Sequence, residues 1–190
     1  MAAMAMLLAA AFLTACGGSE QHRATGSSAE KSSEAADHNA DDIAFARNMV
    51  PHHEQAVQMA QMVPTNTTNQ QVIALANQIT TTQASEMQAF RAWLMQWEDA
   101  QGSDSAGHDS HGVPMAGMVD KPTMDKLQSL NGAAFDRLWL TTMIDHHRGA
   151  IAMAQYEVAH GRNADVLYLA RSIIASQQAE IDRMKQMLGG

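Results

Sequence analysis

Residues 49–61 read Met-Val-Pro-His-His-Glu-Gln-Ala-Val-Gln-Met-Ala-Gln, and residues 143–155 read Met-Ile-Asp-His-His-Arg-Gly-Ala-Ile-Ala-Met-Ala-Gln. At an offset of 94, seven of these thirteen positions are identical and two more exchange Val for Ile. The same ungapped offset carries Asp42 onto Asp136, Phe45 onto Trp139 and Asn69 onto Asn163. It also carries Leu75 onto Leu169, Ile79 onto Ile173, Gln83 onto Gln177 and Glu86 onto Glu180. A chain written twice folds as two copies of one unit that bury their apolar faces on each other, so the repeat governs every later inference.

Each copy reads as two helices. Phe45, Met49, His52, Ala56 and Met59 recur at three- and four-residue steps and predict a first helix over about 42–63. Pro51 falls inside it, removes a backbone donor and predicts a kink beside the histidines. Val72, Leu75, Ile79, Thr82, Glu86, Phe90, Trp93 and Trp97 predict a second helix over about 70–99, with Asn69 as N-cap. The second copy predicts helices over about 133–160 and 164–188, the first ended by Gly161 and the second capped by Asn163. A turn that short forces antiparallel neighbours. Two such hairpins predict an all-α, antiparallel four-helix bundle. The linker, 101–131, holds five glycine or proline punctuation points from Gly102 to Gly117 and a short helix over about 123–130. Four prolines and 5% aromatic residues give no support to a β fold.

The N-terminal residues read differently. Ala5–Leu13 is apolar but too short for the roughly 20 residues a bilayer span needs. Leu13-Thr14-Ala15-Cys16-Gly17 follows it and resembles a bacterial lipoprotein signal, in which Cys16 becomes the acylated first residue. The expected division is a signal over 1–15, a tether over 16–40 and the bundle over 41–190. One departure from the signal pattern is the lack of Lys or Arg in residues 1–6. Residues 17–40 are polar and aperiodic, and as a flexible tether would span roughly 25–30 Å. The implied location is extracytoplasmic, with a lipid anchor at Cys16 in the membrane. A net charge of −8 makes nucleic acid a poor partner. The sequence points to no protein partner.

Fifteen Met and nine His against a single Cys are the chemical peculiarity. Thioether sulfur is a soft neutral ligand and imidazole an intermediate one, so a Met/His set without thiolate favours Cu(I) or Ag(I). Zinc prefers His with Cys or carboxylate. It stays open through His52, His53, His146, His147, Glu86 and Glu180. Met49 lies three residues before His52 and four before His53, within reach of one shared ion, and Met143, His146 and His147 repeat that spacing. Met59 and Met153 return to the same face seven residues after His52 and His146. Adjacent histidines point about 100° apart on a helix, so one can ligate while its neighbour turns elsewhere. Glu86 and Glu180 either hold a histidine N–H or face solvent. His108, His111, Met115 and Met118 have the spacing of a clip for a soft ion, or simply form a linker. Imidazole must be neutral to ligate, so an ordinary pKa near 6.5 predicts weaker copper binding below about pH 6.

Phe135-Asp136, the run Met143-Ile144-Asp145-His146-His147-Arg148-Gly149-Ala150-Ile151-Ala152-Met153-Ala154, Gly117-Met118 upstream and Gln177-Gln178-Ala179-Glu180-Ile181 downstream resemble a bacterial domain-of-unknown-function family. The resemblance covers roughly 41–188. It implies a ferritin-like, Met/His-rich, often lipid-anchored extracytoplasmic domain, some of whose relatives bind copper in the periplasm. It implies copper handling for Met49, His52, His53, Met59, Met143, His146, His147 and Met153, and it supplies no reaction. The first motif departs from the pattern at Pro51.

The leading expectation is therefore a non-catalytic Cu(I)/Ag(I)-binding module for sequestration or delivery. A ferritin-like dimetal oxidase needs Glu-x-x-His on two helices. The chain offers one, Glu157-Val158-Ala159-His160, near a helix end. A metal-free interaction bundle, with Met and His merely packed, is the third reading. No Ser/His/Asp order, H-E-x-x-H or Gly-rich phosphate loop is present.

Overall fold

The computed structural model describes residues 37–101 and 115–189. The predicted signal and most of the predicted tether, with Cys16, lie outside the described residues, as do His108 and His111. Five helices follow in order: α1 (Ala40–Asn66), α2 (Gln70–Gln101), α3 (Lys121–Ser129), α4 (Gly132–His160) and α5 (Ala164–Gly189). The helices α1 and α2 form one hairpin and α4 and α5 the other, and the hairpins meet along α1 and α4. None of the described helices is long and apolar enough to cross a membrane.

Local chemistry sets the helix ends. Asn39 caps α1 in a capping box, its side chain accepting from the Asp41 and Asp42 amides while Asp42 accepts from the Asn39 amide. The Asn69 side chain accepts from the Gln71 amide and that of Asn163 from the Asp165 and Val166 amides, as the repeat predicted. Three-residue loops close both hairpins. The helix α1 runs three residues past its predicted end and continues across both Pro51 and Pro64. The short helix α3 starts two residues earlier than predicted, because Asp120 caps it with a bond from the Thr123 amide and Pro122 occupies the first turn, where no donor is needed.

The helices α1 and α4 run antiparallel. The Asn39 side chain at the start of α1 donates to the His160 carbonyl at the end of α4, and Asn66 at the other end donates to the Leu130 carbonyl just before α4. Between them, nearer the Asn66 end, Trp139 Nε1 donates to the buried Met59 carbonyl at 3.0 Å.

The apolar core is in two parts. One cluster gathers Ala56, Met59, Val63, Leu75, Ile79, Trp139, Met143 and Ile181, and α3 adds Met124 and Leu127 to it. The other gathers Phe45, Met49, Phe90, Ala150, Met153, Val166 and Ile173. Between them every long helix contributes a polar pair: His52 and His53 from α1, Gln83 and Glu86 from α2, His146 and His147 from α4, Gln177 and Glu180 from α5. All eight are buried. The layer is the structural image of the 94-residue repeat, and it places the chemistry at mid-bundle.

Candidate metal centre

The two histidines of each motif divide as the helical angle requires. His53 Nε2 lies 2.7 Å from Glu86 Oε2, and His147 Nε2 lies 2.8 Å from Glu180 Oε2. A carboxylate only accepts, so each Nε2 carries its hydrogen and in the neutral ring Nδ1 carries the lone pair. Gln78 from the first hairpin donates to the other oxygen of Glu180 at 3.0 Å. The alternative of solvent-facing glutamates does not describe Glu86 and Glu180, which are 8% and 5% exposed.

His52 and His146 turn the other way and meet each other. Their ring centroids are 3.8 Å apart, one ring from each half of the repeat. His52 Nε2 donates to the Ala116 carbonyl at 3.0 Å, which leaves its Nδ1 as the lone-pair nitrogen. Among the described residues, the Nδ1 atoms of all four histidines, His146 Nε2 and both amide atoms of Gln83 and Gln177 are buried without a hydrogen-bond partner. Native cores rarely leave so many polar atoms unpaired, and such a cluster calls for a ligand or a functional reason.

Electrostatics keeps the pair neutral. Burial, reinforced by the neighbouring His53, pushes His52 down to about 3. Burial, with His52 opposite, holds His146 well below the ordinary imidazole range. Both rings therefore offer lone pairs far below pH 6, which revises the expectation drawn from an ordinary imidazole.

Met49 and Met143 sit one turn from the layer and are fully buried. Met59 and Met153 are buried too, but lie about 10.5 Å farther along their helices than His52 and His146, too far to share an ion with them without bending the chain. Among the described residues, no group of three or more His, Cys, Asp or Glu is arranged to hold a metal.

A strap from Met115 to Val119 crosses the pair. Gln55 ties it down twice, donating to the Val119 carbonyl at 2.9 Å and accepting from the Val119 amide at 2.7 Å. Gly149 supplies the groove, since a Cβ there would stand 1.9 Å from the Ala116 carbonyl oxygen. Gly117, at φ +82°, could take no side chain without meeting the Asp145 and His146 carbonyls. Sequence reasoning missed Gln55, Ala116 and Gly149. Of these, Gly149 carried a signal: a glycine in mid-helix where the repeat has Gln55.

The single Glu-x-x-His lies elsewhere. Glu157 is fully buried at the end of the bundle, beside Asp42, which accepts from the backbone amides of Asn39, Arg162 and Asn163. Burial first, and the neighbouring Asp42 carboxylate second, push Glu157 up to about 9. His160 is exposed. Ten residues separate His147 from Glu157, about 15 Å of helix, so this pair does not join the histidine layer.

Comparison with known proteins places this geometry. A DUF305 protein from Streptomyces coelicolor, taken to be secreted, is 35% identical, covers 80% of this chain and 94% of its own, and superposes with a TM-score of 0.71. A DUF305 fragment from Deinococcus radiodurans is 29% identical over 80% of this chain and 97% of its own, with a TM-score of 0.67. CopM, solved in a Cu(I)-bound form, is 29% identical over 77% of this chain and 94% of its own, with a TM-score of 0.62. CopM has also been solved with Ag and with Cu(II). No curated protein sequence matches the chain. Residues 42–188, both halves of the repeat, match the domain of unknown function DUF305, and the chain belongs to that family.

Proposed function

We propose that this chain is a non-catalytic soft-metal-binding protein of the cell envelope, which holds Cu(I), and Ag(I) by the same chemistry, for sequestration or delivery. The observation that carries the reading is the meeting of His52 and His146 at 3.8 Å in the core, with unpartnered lone-pair nitrogens. Two imidazole nitrogens suffice for a d10 ion that accepts low coordination, and Met49 and Met143 are the nearest thioethers. His53 and His147 offer their Nδ1 atoms while Glu86 and Glu180 raise the basicity of their rings from behind, the usual outer-shell role of a carboxylate. Met59 and Met153 lie on opposite sides of the layer, one in each apolar cluster, and would not share this ion. Zinc is the weaker fit, because the layer lacks a preassembled set of harder donors. The metals bound by CopM support the choice of copper and silver.

No sequence of general acid, base and nucleophile attends the layer, and its carboxylates are engaged by histidine, so the reading is of a binder. We place it outside the cytoplasm, anchored through Cys16. Competition against a Cu(I) chelator tests the function. The double variant H52A/H146A is expected to weaken Cu(I) binding at least a hundredfold and M49L/M143L about tenfold. Equal affinity in wild type and H52A/H146A, or tighter binding of Zn(II) than of Cu(I), would reject it. Loss of the C16A variant from the membrane fraction tests the anchor.

A further inference from the structure

Among the described residues four large apolar side chains stand exposed, and two of them, Met115 at 42% and Met118 at 38%, sit on the five-residue strap. They are the first and last residues of one turn, whose corners are Ala116 and Gly117. Gly117 at φ +82° has the value a type II turn needs at its third position. In such a turn the first and last Cα lie within about 7 Å, so both thioethers can reach one ion. The corner between them touches the buried pair, because the Ala116 carbonyl accepts from His52 Nε2. A surface pair of soft donors is thus one residue from a buried pair of stronger ones.

We propose that Met115 and Met118 form a surface uptake site for a soft monovalent cation, and that the Ala116–Gly117 turn hands the ion to His52 and His146 as it lifts from Gly149. This rests on the metal-binding reading above and adds the route. Transfer is a ligand exchange. The ion leaves two thioether lone pairs and takes up imidazole nitrogen lone pairs, and no proton or electron moves. Thioethers suit the outer position because they are neutral, do not titrate, and discriminate against hard cations. The turn is both port and cover. It is held by the His52 bond, the two Gln55 bonds and the groove that the missing Cβ of Gly149 leaves open.

Stopped-flow transfer of Cu(I) from a coloured chelate to the full chain, and back to excess chelator, tests the route. In M115L/M118L uptake and release are expected to slow together by about tenfold, since both directions use the same port. Uptake at the wild-type rate would overturn the proposal. So would faster release, which would make the two methionines ligands of the final site. In G149A the new Cβ displaces the turn without breaking α4, and uptake and release are expected to accelerate together. Unchanged rates in a variant with wild-type helicity would overturn the lifting step. Failure of the underlying reading looks different: H52A/H146A would keep full copper capacity at equilibrium. If M115L/M118L then lost it, the methionines would be the store and not the port, and the proposal would fall.

Discussion

Stripped of metal, the domain should be most stable near pH 6.5, and one substitution should abolish the decline on the alkaline side. Glu157 is neutral in the fold up to about 9, whereas a free glutamate loses its proton near 4.5. Between those values the folded chain holds one proton more than the unfolded chain, so unfolding releases a proton and stability falls as pH rises. His52 acts in the opposite sense. It is neutral in the fold down to about 3 and takes a proton near 6.5 when unfolded, and His146 behaves likewise, so stability falls as pH drops below 6.5. Above 6.5 only Glu157 of these three contributes, at about −1.4 kcal/mol per pH unit, or about 3 kcal/mol by pH 9. Below 6.5 His52 offsets Glu157 and His146 adds to His52 in the same sense, so stability falls as pH drops. Glu157→Gln keeps the shape of the side chain and removes the titration. Its profile should be flat from 6.5 to 9 and fall more steeply than wild type on the acid side. Urea unfolding followed by circular dichroism, in chelator, from pH 4.5 to 9, measures all four slopes. A wild-type stability that is level from pH 6.5 to 9, or a Glu157→Gln profile with the same alkaline slope, would refute the burial argument.

Three further outcomes are expected. Glu86→Gln and Glu180→Gln should each weaken Cu(I) binding by about 10- to 100-fold, because each ring loses the carboxylate that raises its basicity, and chelator competition should find the two effects similar. Trp139→Phe should cost about 1–2 kcal/mol in urea unfolding, since its indole N–H is the donor to the Met59 carbonyl across the α1–α4 contact. Asn39→Ala should cost about 1 kcal/mol through loss of the α1 cap, read as a lower thermal midpoint.

The repeat made the hairpins, both asparagine caps and the pairing of equivalent residues legible before any coordinates. Its reach ended where information is long-range. An offset of 94 says that His52 and His146 are equivalent; it does not say that they touch, because that depends on α1 crossing α4 at its midpoint. The strap was legible only as a run with soft donors, Met115 and Met118, and not as a docked turn. Its docking depends on Gly149, thirty-two residues beyond Gly117, and on Gln55, sixty-four residues before Val119. Adjacent histidines were read as free to diverge, and the fold resolves them, one toward its glutamate and one toward its twin. The titration of the pair was misjudged for the same reason: an isolated sequence carries no dielectric, and complete burial is what drives His52 to about 3.

The symmetry of the layer is also incomplete, and the incompleteness has chemical content. The donors are matched between halves, but the strap bonds only one of the central rings. Ala116 fixes the orientation and tautomer of His52, while His146 has neither nitrogen engaged among the described residues. The strap therefore sets the orientation of one ring and leaves the other to its packing against its twin. Burying these nitrogens without partners costs the apo domain stability, at about 1–3 kcal/mol for each unsatisfied group. An ion that satisfies them recovers that cost on binding, so the same unpaired atoms that weaken the empty bundle should strengthen its hold on metal.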